Sequence, residues 1–328
     1  MIPNQWYAVL ESRQVTSQPV GVKRLYEDLV FWRTPSGAVS CVPDRCSHRG
    51  AKLSLGRVCG SGLECPYHGF VFDEFGKCRF IPANGPDAEV PSSMHLKPWP
   101  TREQFGLVWV WYGDPRETYP PVPWFRQTLT DEHNASQKSG VWDFHYLRVI
   151  ENALDVHHFP FIHGSLTPNI GSFVAPLEAK IDDAGIIRMT AGLKRLRSDP
   201  DSDAVQFHMS VKMPNVLHMK IHEKIHIQQI ATPIDDGHSW MFVRYYQNYV
   251  KVPILGPLVS AALMQGDWFV AQEMQDFPIF ATQSPKVPTG KLDCRFIEAD
   301  LGVVLYFRER KRLTEQAKSN NAKTCHTS

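Results

Sequence analysis

Hydrophobic and polar positions follow two regimes along the chain. Up to about residue 112, short apolar runs alternate with turn formers, the pattern of a small all-β unit. Residues 22–32 and 38–42 flank Thr34-Pro35-Ser36-Gly37 as a predicted hairpin, and residues 106–112 read as a strand stopped by Gly113-Asp114-Pro115. Beyond the stiff stretch from Tyr119 to Pro123, the pattern predicts a helix over 147–158 and a hairpin of 178–181 with 186–190 around Asp182-Asp183-Ala184-Gly185. Leu217, Met219, Ile221, Ile225 and Ile227 alternate with His218, Lys220, His222, Lys224 and His226, with Glu223 the one break on the apolar side. That period of two predicts a half-buried strand whose polar face is solvated, histidines included. A further strand over 240–249 follows Asp235-Asp236-Gly237, residues 258–283 read as largely helical with a break at Pro278, and 300–315 suits strand or helix.

A chain of 328 residues accommodates two domains, which these regimes place at 1–118 (all-β) and 119–328 (α+β on an antiparallel sheet). Hydrophobic residues at 43% and charged residues at 21% describe an ordinary globular chain, and a net charge of +1 recommends neither nucleic acid nor an anionic membrane as partner. The longest apolar run, 252–264, contains Pro253, Gly256, Pro257 and Ser260 and reads as a buried segment rather than a bilayer span. The start, Met1-Ile2-Pro3-Asn4-Gln5-Trp6, lacks the basic and apolar regions of an export signal, so a cytoplasmic protein is expected. Seven cysteines, an odd number without an export signal, direct attention to metal ligation rather than disulfides.

Five of those cysteines fall between 41 and 78, and four residues among them stand out: Cys46-Ser47-His48 and Cys65-Pro66-Tyr67-His68. Two thiolates and two imidazoles from two loops can hold a tetrahedral zinc or an iron-sulfur cluster. Glycine follows each histidine closely, at Gly50 and Gly69, where backbone amides must bend round the group; a zinc ribbon would instead repeat C-x2-C spacing. The pair resembles the Rieske [2Fe-2S] signature, in which Cys46 and Cys65 would hold one iron and His48 and His68 the other. Cys41, Cys59 and Cys78 have no ligand spacing to these four and read as buried thiols.

A second constellation runs from Glu151 to His163 in a D-x2-H-x4-H pattern. On a helix Asn152, Asp155 and His158 fall on one side, and Pro160 would end or kink that helix before His163. Two histidines and a carboxylate make the facial triad of non-haem Fe(II) oxygenases, with positions left open for oxygen. The stretch resembles the iron motif of the Rieske non-haem iron oxygenases, which implies iron ligation by His158 and His163, Asn152 lining the iron site, and Asp155 bridging cluster and iron. Asp267, Glu273 and Asp276 are the candidates for the distant carboxylate. The family's late-helix pattern is matched best by Gln275-Asp276-Phe277-Pro278 with Gln283-Ser284, so Asp276 is the expected ligand and Asp267 the alternative. As a simple capping residue ahead of Pro278, Asp276 would carry no such role.

Taken over nearly the whole chain, the resemblance is to the oxygenase (α) subunit of Rieske oxygenases, of the length of the demethylase and monooxygenase members. It implies an N-terminal all-β Rieske domain, a C-terminal helix-grip (START-like) catalytic domain, and a head-to-tail homotrimer in which one subunit's cluster serves its neighbour's iron. It implies as cofactors a [2Fe-2S] Rieske cluster and a mononuclear Fe(II), and oxidation of a small aromatic or alicyclic substrate with O2. No G-x-G-x-x-G after a strand is present, so electrons are expected from a separate NAD(P)H-linked reductase or ferredoxin, with Arg45, Arg49 and Lys52 as a candidate docking patch. A Rieske electron carrier whose second domain only binds a partner is the competing reading. Met209, Val211, Leu217, Met219, Met241, Val243, Leu263 and Phe280 are the candidate pocket residues.

Overall fold

The broken apolar runs of the first third become ten short strands in the computed structural model, which describes residues 1–126, 134–168, 170–288 and 295–324. They are β1 (Gln5–Glu11), β2 (Val20–Arg24), β3 (Glu27–Arg33), β4 (Val39–Pro43), β5 (Arg57–Cys59), β6 (Gly62–Glu64), β7 (Val71–Phe72), β8 (Cys78–Phe80), β9 (Thr101–Gln104) and β10 (Leu107–Tyr112). Three antiparallel sheets result, in the orders β1-β10-β9, β2-β3-β4 and β5-β6-β7-β8. The last of these carries the second cysteine loop between β6 and β7, and the first cysteine loop follows β4. The run 22–32 is not one strand: Leu25 and Tyr26 take left-handed φ of 56° and 69° and fold it into a hairpin that pairs Arg24 with Glu27. Cys41 and Cys78 are buried as expected, whereas Cys59 is exposed at the β5–β6 turn.

The boundary between two separately packed units falls at Val122 and Pro123. In the second unit β11 (Asn134–Trp142), β12 (Phe173–Ile181), β13 (Ile187–Lys194), β14 (Val205–Lys212), β15 (Val216–His222), β16 (Ile225–Pro233) and β17 (Ser239–Gln247) form one antiparallel sheet in the order β11-β17-β16-β15-β14-β13-β12. The alternating stretch 217–227 is two of these strands rather than one. Its break at Glu223 is the hairpin tip, with His222 paired to Ile225, because a charged residue on the apolar side is tolerated only where the chain leaves the sheet.

Helices cover one face of that sheet. α1 (Tyr146–Leu154) packs on β16 and buries Leu147, Ile150 and Leu154; α2 (Phe159–Ile162) follows a four-residue turn. The single helix expected over 147–158 therefore ends early, where Asp155 takes an extended backbone (φ −95°, ψ 121°) and its side chain accepts from the His157 amide at 2.8 Å. Asx geometry of this kind competes with helix continuation. α3 (Leu255–Gly266) packs on β11 and β17 and continues as a π-helical segment, Asp267–Asp276, then α4 (Phe277–Phe280) with Pro278 in its first turn. α5 (Leu301–Thr324) settles the strand-or-helix alternative for 300–315 in favour of helix, and it lies on β12 and β13. The run 252–264 is less buried than its composition predicted: Val252, Ile254, Leu255 and Leu258 are exposed, while Gly256, Ser260 and Met264 are buried. Its helix turns an apolar face outward, and on the inner face Gly256 and Ser260 meet Asn134 of β11.

Candidate metal centres

Two loops of the same build place the first donor set. The Cys46 amide donates to the Ala51 carbonyl (2.8 Å) and the Gly50 amide to the Cys46 carbonyl (2.9 Å); likewise Cys65 donates to Phe70 (2.8 Å) and Gly69 to Cys65 (3.0 Å). Each loop closes through a left-handed glycine, Gly50 at φ 72° and Gly69 at φ 71°, a conformation that costs other residues energy. Cys46 and Cys65 are buried, whereas His48 and His68 are exposed with their ring centroids 4.7 Å apart. Phe70 stacks on His48 at 4.9 Å and Tyr67 lies over His68 at 3.7 Å. Burial pushes the Cys46 thiol up to about 11, with the His48 amide opposing and the neighbouring Cys65 reinforcing the shift. Thiols that burial disfavours as free thiolates fit a cationic group that takes cysteine in its ionised form. The donor set, two inner sulfurs and two outer imidazoles, fits the [2Fe-2S] group of the resemblance.

The second donor set lies on the helical layer of the sheet unit. Donor atoms of His158, His163 and Asp276 all lie within 4.8 Å of one another. His163 Nε2 stands 3.4 Å and His158 Nε2 3.9 Å from Asp276 Oδ1. His158 comes from the turn after α1 and His163 from the end of α2, so the early end of α1, not a shared helix face, aims the two imidazoles at one point. Asp276 closes the π-helical segment, precedes α4, and makes no capping hydrogen bond there. Its carboxyl is 2% exposed; burial raises it, and the two imidazoles and the Asn152 amide (Nδ2 to Oδ2, 3.4 Å) act in the opposite direction. Of the other two carboxylates, Glu273 accepts from Trp268 Nε1 at 2.8 Å and Asp267 bonds to the Tyr245 hydroxyl, so neither joins the cluster. Two imidazoles and a buried carboxylate, with neighbours that orient them, fit a divalent iron.

Three orienting residues escaped the sequence reading. Gln275 Oε1 sits 2.7 Å from His163 Nδ1, and its own amide donates to Ser165 Oγ at 2.9 Å, which leaves Nε2 of His163 toward Asp276. His157, left without a role by the motif, sits with Nδ1 2.6 Å from Asp155 Oδ1. Asp155 Oδ2 lies 3.3 Å from His158 Nδ1, so one carboxylate stands beside both histidines. Burial alone would raise the Asp155 carboxyl; hydrogen bonds from His157 and His158 outweigh it and hold the group well below the usual carboxylate range.

The iron-competent cluster forms part of the wall of a cavity of about 220 Å³ between the helical layer and the sheet. Phe159, Phe207, Met209, Met219, Ile221 and Ile227 give it an apolar lining. Met209 and Met219 line it as anticipated; Val211, Leu217, Met241 and Val243 instead pack in the core, and Phe280 faces a different depression. His218 on β15 does not line this cavity: it stacks on His226 and lies tilted against Phe125, whereas Lys220, two residues on, does line it.

With that geometry in place, residues 5–100 match the family described as Rieske [2Fe-2S] domain, and residues 142–315 match the one described as Vanillate O-demethylase oxygenase C-terminal domain. The chain is 35% identical over 164 residues to the oxygenase subunit of 3-chlorobenzoate-3,4-dioxygenase of Comamonas testosteroni, which covers 48% of this chain and 37% of that one. It is 32% identical over 163 residues to the oxygenase component of dicamba O-demethylase of Stenotrophomonas maltophilia, covering 49% and 48%. These alignments span about half or less of each relative's length. Among solved structures, dicamba monooxygenase bound to dicamba superposes with a TM-score of 0.73 at 21% identity, over 97% of this chain and 99% of that one. The chain belongs to the Rieske non-haem iron oxygenase family, as an oxygenase (α) subunit of the vanillate O-demethylase type. The Rieske match brings a [2Fe-2S] cluster as cofactor, and a solved dicamba monooxygenase of the same fold, 21% identical, is recorded with non-haem iron. Among the described residues no helix is long and apolar enough to cross a membrane.

Proposed function

We propose that the chain oxidises a small, largely apolar organic molecule, by hydroxylation or demethylation, with O2 and electrons from a separate NAD(P)H-linked reductase or ferredoxin. The single observation that carries this reading is the convergence of His158, His163 and Asp276 on the wall of an apolar cavity of about 220 Å³. In this reading residues 1–118 form the Rieske domain, where Cys46, His48, Cys65 and His68 hold the cluster. Residues 119–328 form the catalytic domain, where His158, His163 and Asp276 hold the iron. When bound, the cluster supplies electrons one at a time and the iron a place where O2 is reduced.

The remaining work falls to the chain's own side chains. The apolar lining excludes water and leaves substrate held by shape. Gln275 fixes the tautomer of His163 so that its Nε2, not its Nδ1, is the free donor. Asn152, 3.4 Å from the outer oxygen of Asp276, keeps that carboxylate turned so that one oxygen faces the histidines. Asp155 acts as the bridging carboxylate between the iron site and the neighbouring subunit's cluster in a head-to-tail homotrimer, and His157 holds it ionised. Arg45, Arg49 and Lys52, all basic and beside the first cysteine loop, are the docking candidates for the electron donor.

Metal and sulfide analysis of anaerobically purified protein, with visible absorption, tests this assignment. About three irons and two sulfides per chain are expected. About two irons with two sulfides would replace the oxygenase by an electron carrier, and zinc in a colourless protein would remove both readings.

A further inference from the structure

One buried carboxyl in the cavity has no part in the metal centre. Asp267 opens the π-helical segment and lines the cavity beside the iron-competent cluster, from the helical layer. Its partner comes from the opposite layer: the Tyr245 hydroxyl, on β17, bonds to the carboxyl. The other oxygen, Oδ2, is buried and has no hydrogen-bond partner. Gln229 shares this wall; it lies two residues along β16 from Ile227, whose cross-strand neighbour is Tyr245, so the three side chains issue from one face of the sheet.

A buried acceptor without a donor bears its full desolvation cost until something donates to it. The lining is mostly apolar, with His208, Lys220, Gln229 and Gln272 as its further polar residues, and Lys220 is drawn to Glu223 at 2.5 Å. Burial pushes the Asp267 carboxyl up to about 7, the Tyr245 hydroxyl pulls it down, and Asp276 raises it again. An anionic ligand group at this wall would set acceptor against acceptor, whereas an N–H or O–H group would complete the pair.

We propose that Asp267, oriented by Tyr245, is the specificity-determining residue of the cavity and selects substrates that carry an N–H or O–H donor on an otherwise apolar body, against carboxylates. The proposal rests on the cavity being the substrate site. It separates this chain from the two relatives above whose named substrates, 3-chlorobenzoate and dicamba, are acids. The π winding is what makes the site: it brings positions 267 and 276 to the same cavity, one for substrate and one for metal.

Binding of p-cresol, its methyl ether and p-toluate to the full chain with its metals, measured anaerobically by calorimetry without reductant, tests the proposal. The cresol should bind at least about tenfold more tightly than the ether or the toluate. In the isosteric Asp267→Asn variant, Tyr245 donates to the amide oxygen and the amide NH2 faces the cavity, so the order should invert and the toluate and ether should gain. Equal binding of cresol and ether by the unaltered protein overturns the proposal, and that comparison stands even if the variant does not fold. A preference that survives Asp267→Asn overturns it too. Iron content measured on the same samples separates the two ideas. A third iron missing from both proteins sinks the oxygenase reading while the binding order still decides this one, and loss of iron only in Asp267→Asn makes Asp267 a ligand and sinks the substrate role.

Discussion

Asp276 and Gln275 are adjacent in sequence yet hold different places in the proposed iron site. Asp276 offers an oxygen to the cluster of donors, so Asp276→Ala should abolish mononuclear iron while leaving the visible spectrum of the cluster intact; full iron content in that variant would send the search to another carboxylate. Gln275 reaches that site through the far nitrogen of His163. Removing such an orienting partner typically costs about 10–100-fold in metal affinity, so Gln275→Leu should lose iron to a competing chelator at correspondingly lower chelator concentration. An unchanged competition curve would reduce Gln275 to packing. The histidines that the structure brings together with Asp276 were legible in the sequence because D-x2-H-x4-H is a dense local pattern. The orienting contacts were not, because a glutamine 112 residues from its histidine leaves no local trace.

At the scale of elements, the sequence left Asp267 and Asp276 as rivals, and the winding of one helix explains why. In an α-helix, with 3.6 residues per turn, positions nine apart lie about two and a half turns apart and face opposite ways. A π-helix bonds i to i+5, as the Phe277 amide does to the Gln272 carbonyl, and its wider turn needs only about two turns for the same nine residues. Both carboxylates then face one cavity. Hydrophobic periodicity tuned to 3.6 has no means of finding such a segment, just as it missed the end of α1, where a side chain rather than an apolar break stops the helix. Trp268 anchors the π segment. Its ring packs against Gly140 of β11, where an added Cβ would come within 2.9 Å, meets Trp142 edge-on at 5.2 Å, and its N–H bonds Glu273. Trp268→Ala should destabilise the second unit by about 3–5 kcal/mol and reduce iron retention with it; calorimetry that shows an unshifted unfolding transition would mean the segment is held elsewhere. In the first unit, Arg33 on β3 forms two hydrogen bonds to Glu103 on β9, at 2.8 and 3.0 Å, and ties two sheets together. The Arg33 guanidinium holds the Glu103 carboxyl below its ordinary value. A depressed carboxylate stabilises the fold above the unfolded value, about 4.3, and loses that contribution as pH falls through the folded one. With the pair partly exposed, the term is under about 1 kcal/mol. Glu103→Gln should therefore narrow the stability difference between pH 7 and pH 3, and an unaltered difference would show the pair to be neutral.

For the whole molecule, the order of the two motifs made the two-part architecture readable, since a cysteine-histidine pair belongs on β-loops and a histidine-carboxylate triad needs a late helix to complete it. What one chain's sequence does not contain is the route of the electrons. The proposed head-to-tail ring sends them across a subunit boundary, which makes a mixing experiment decisive. Chains with Cys65→Ser would keep their iron site and lack a cluster; chains with Asp276→Ala would keep the cluster and lack iron. Each alone should be inactive. Mixed and reassembled at equal amounts, a cluster-free subunit finds an intact cluster on the required neighbour in about half of cases, and such subunits are half of the total, so roughly a quarter of full activity should return in a closed heterologous ring. Transfer within one chain gives no recovery at any ratio, because every chain then lacks one of its two centres. Turnover measured against mixing ratio, with a reductase in excess, should peak at equal amounts, and a flat line at zero would confine the electrons to a single subunit and remove the bridging role given to Asp155.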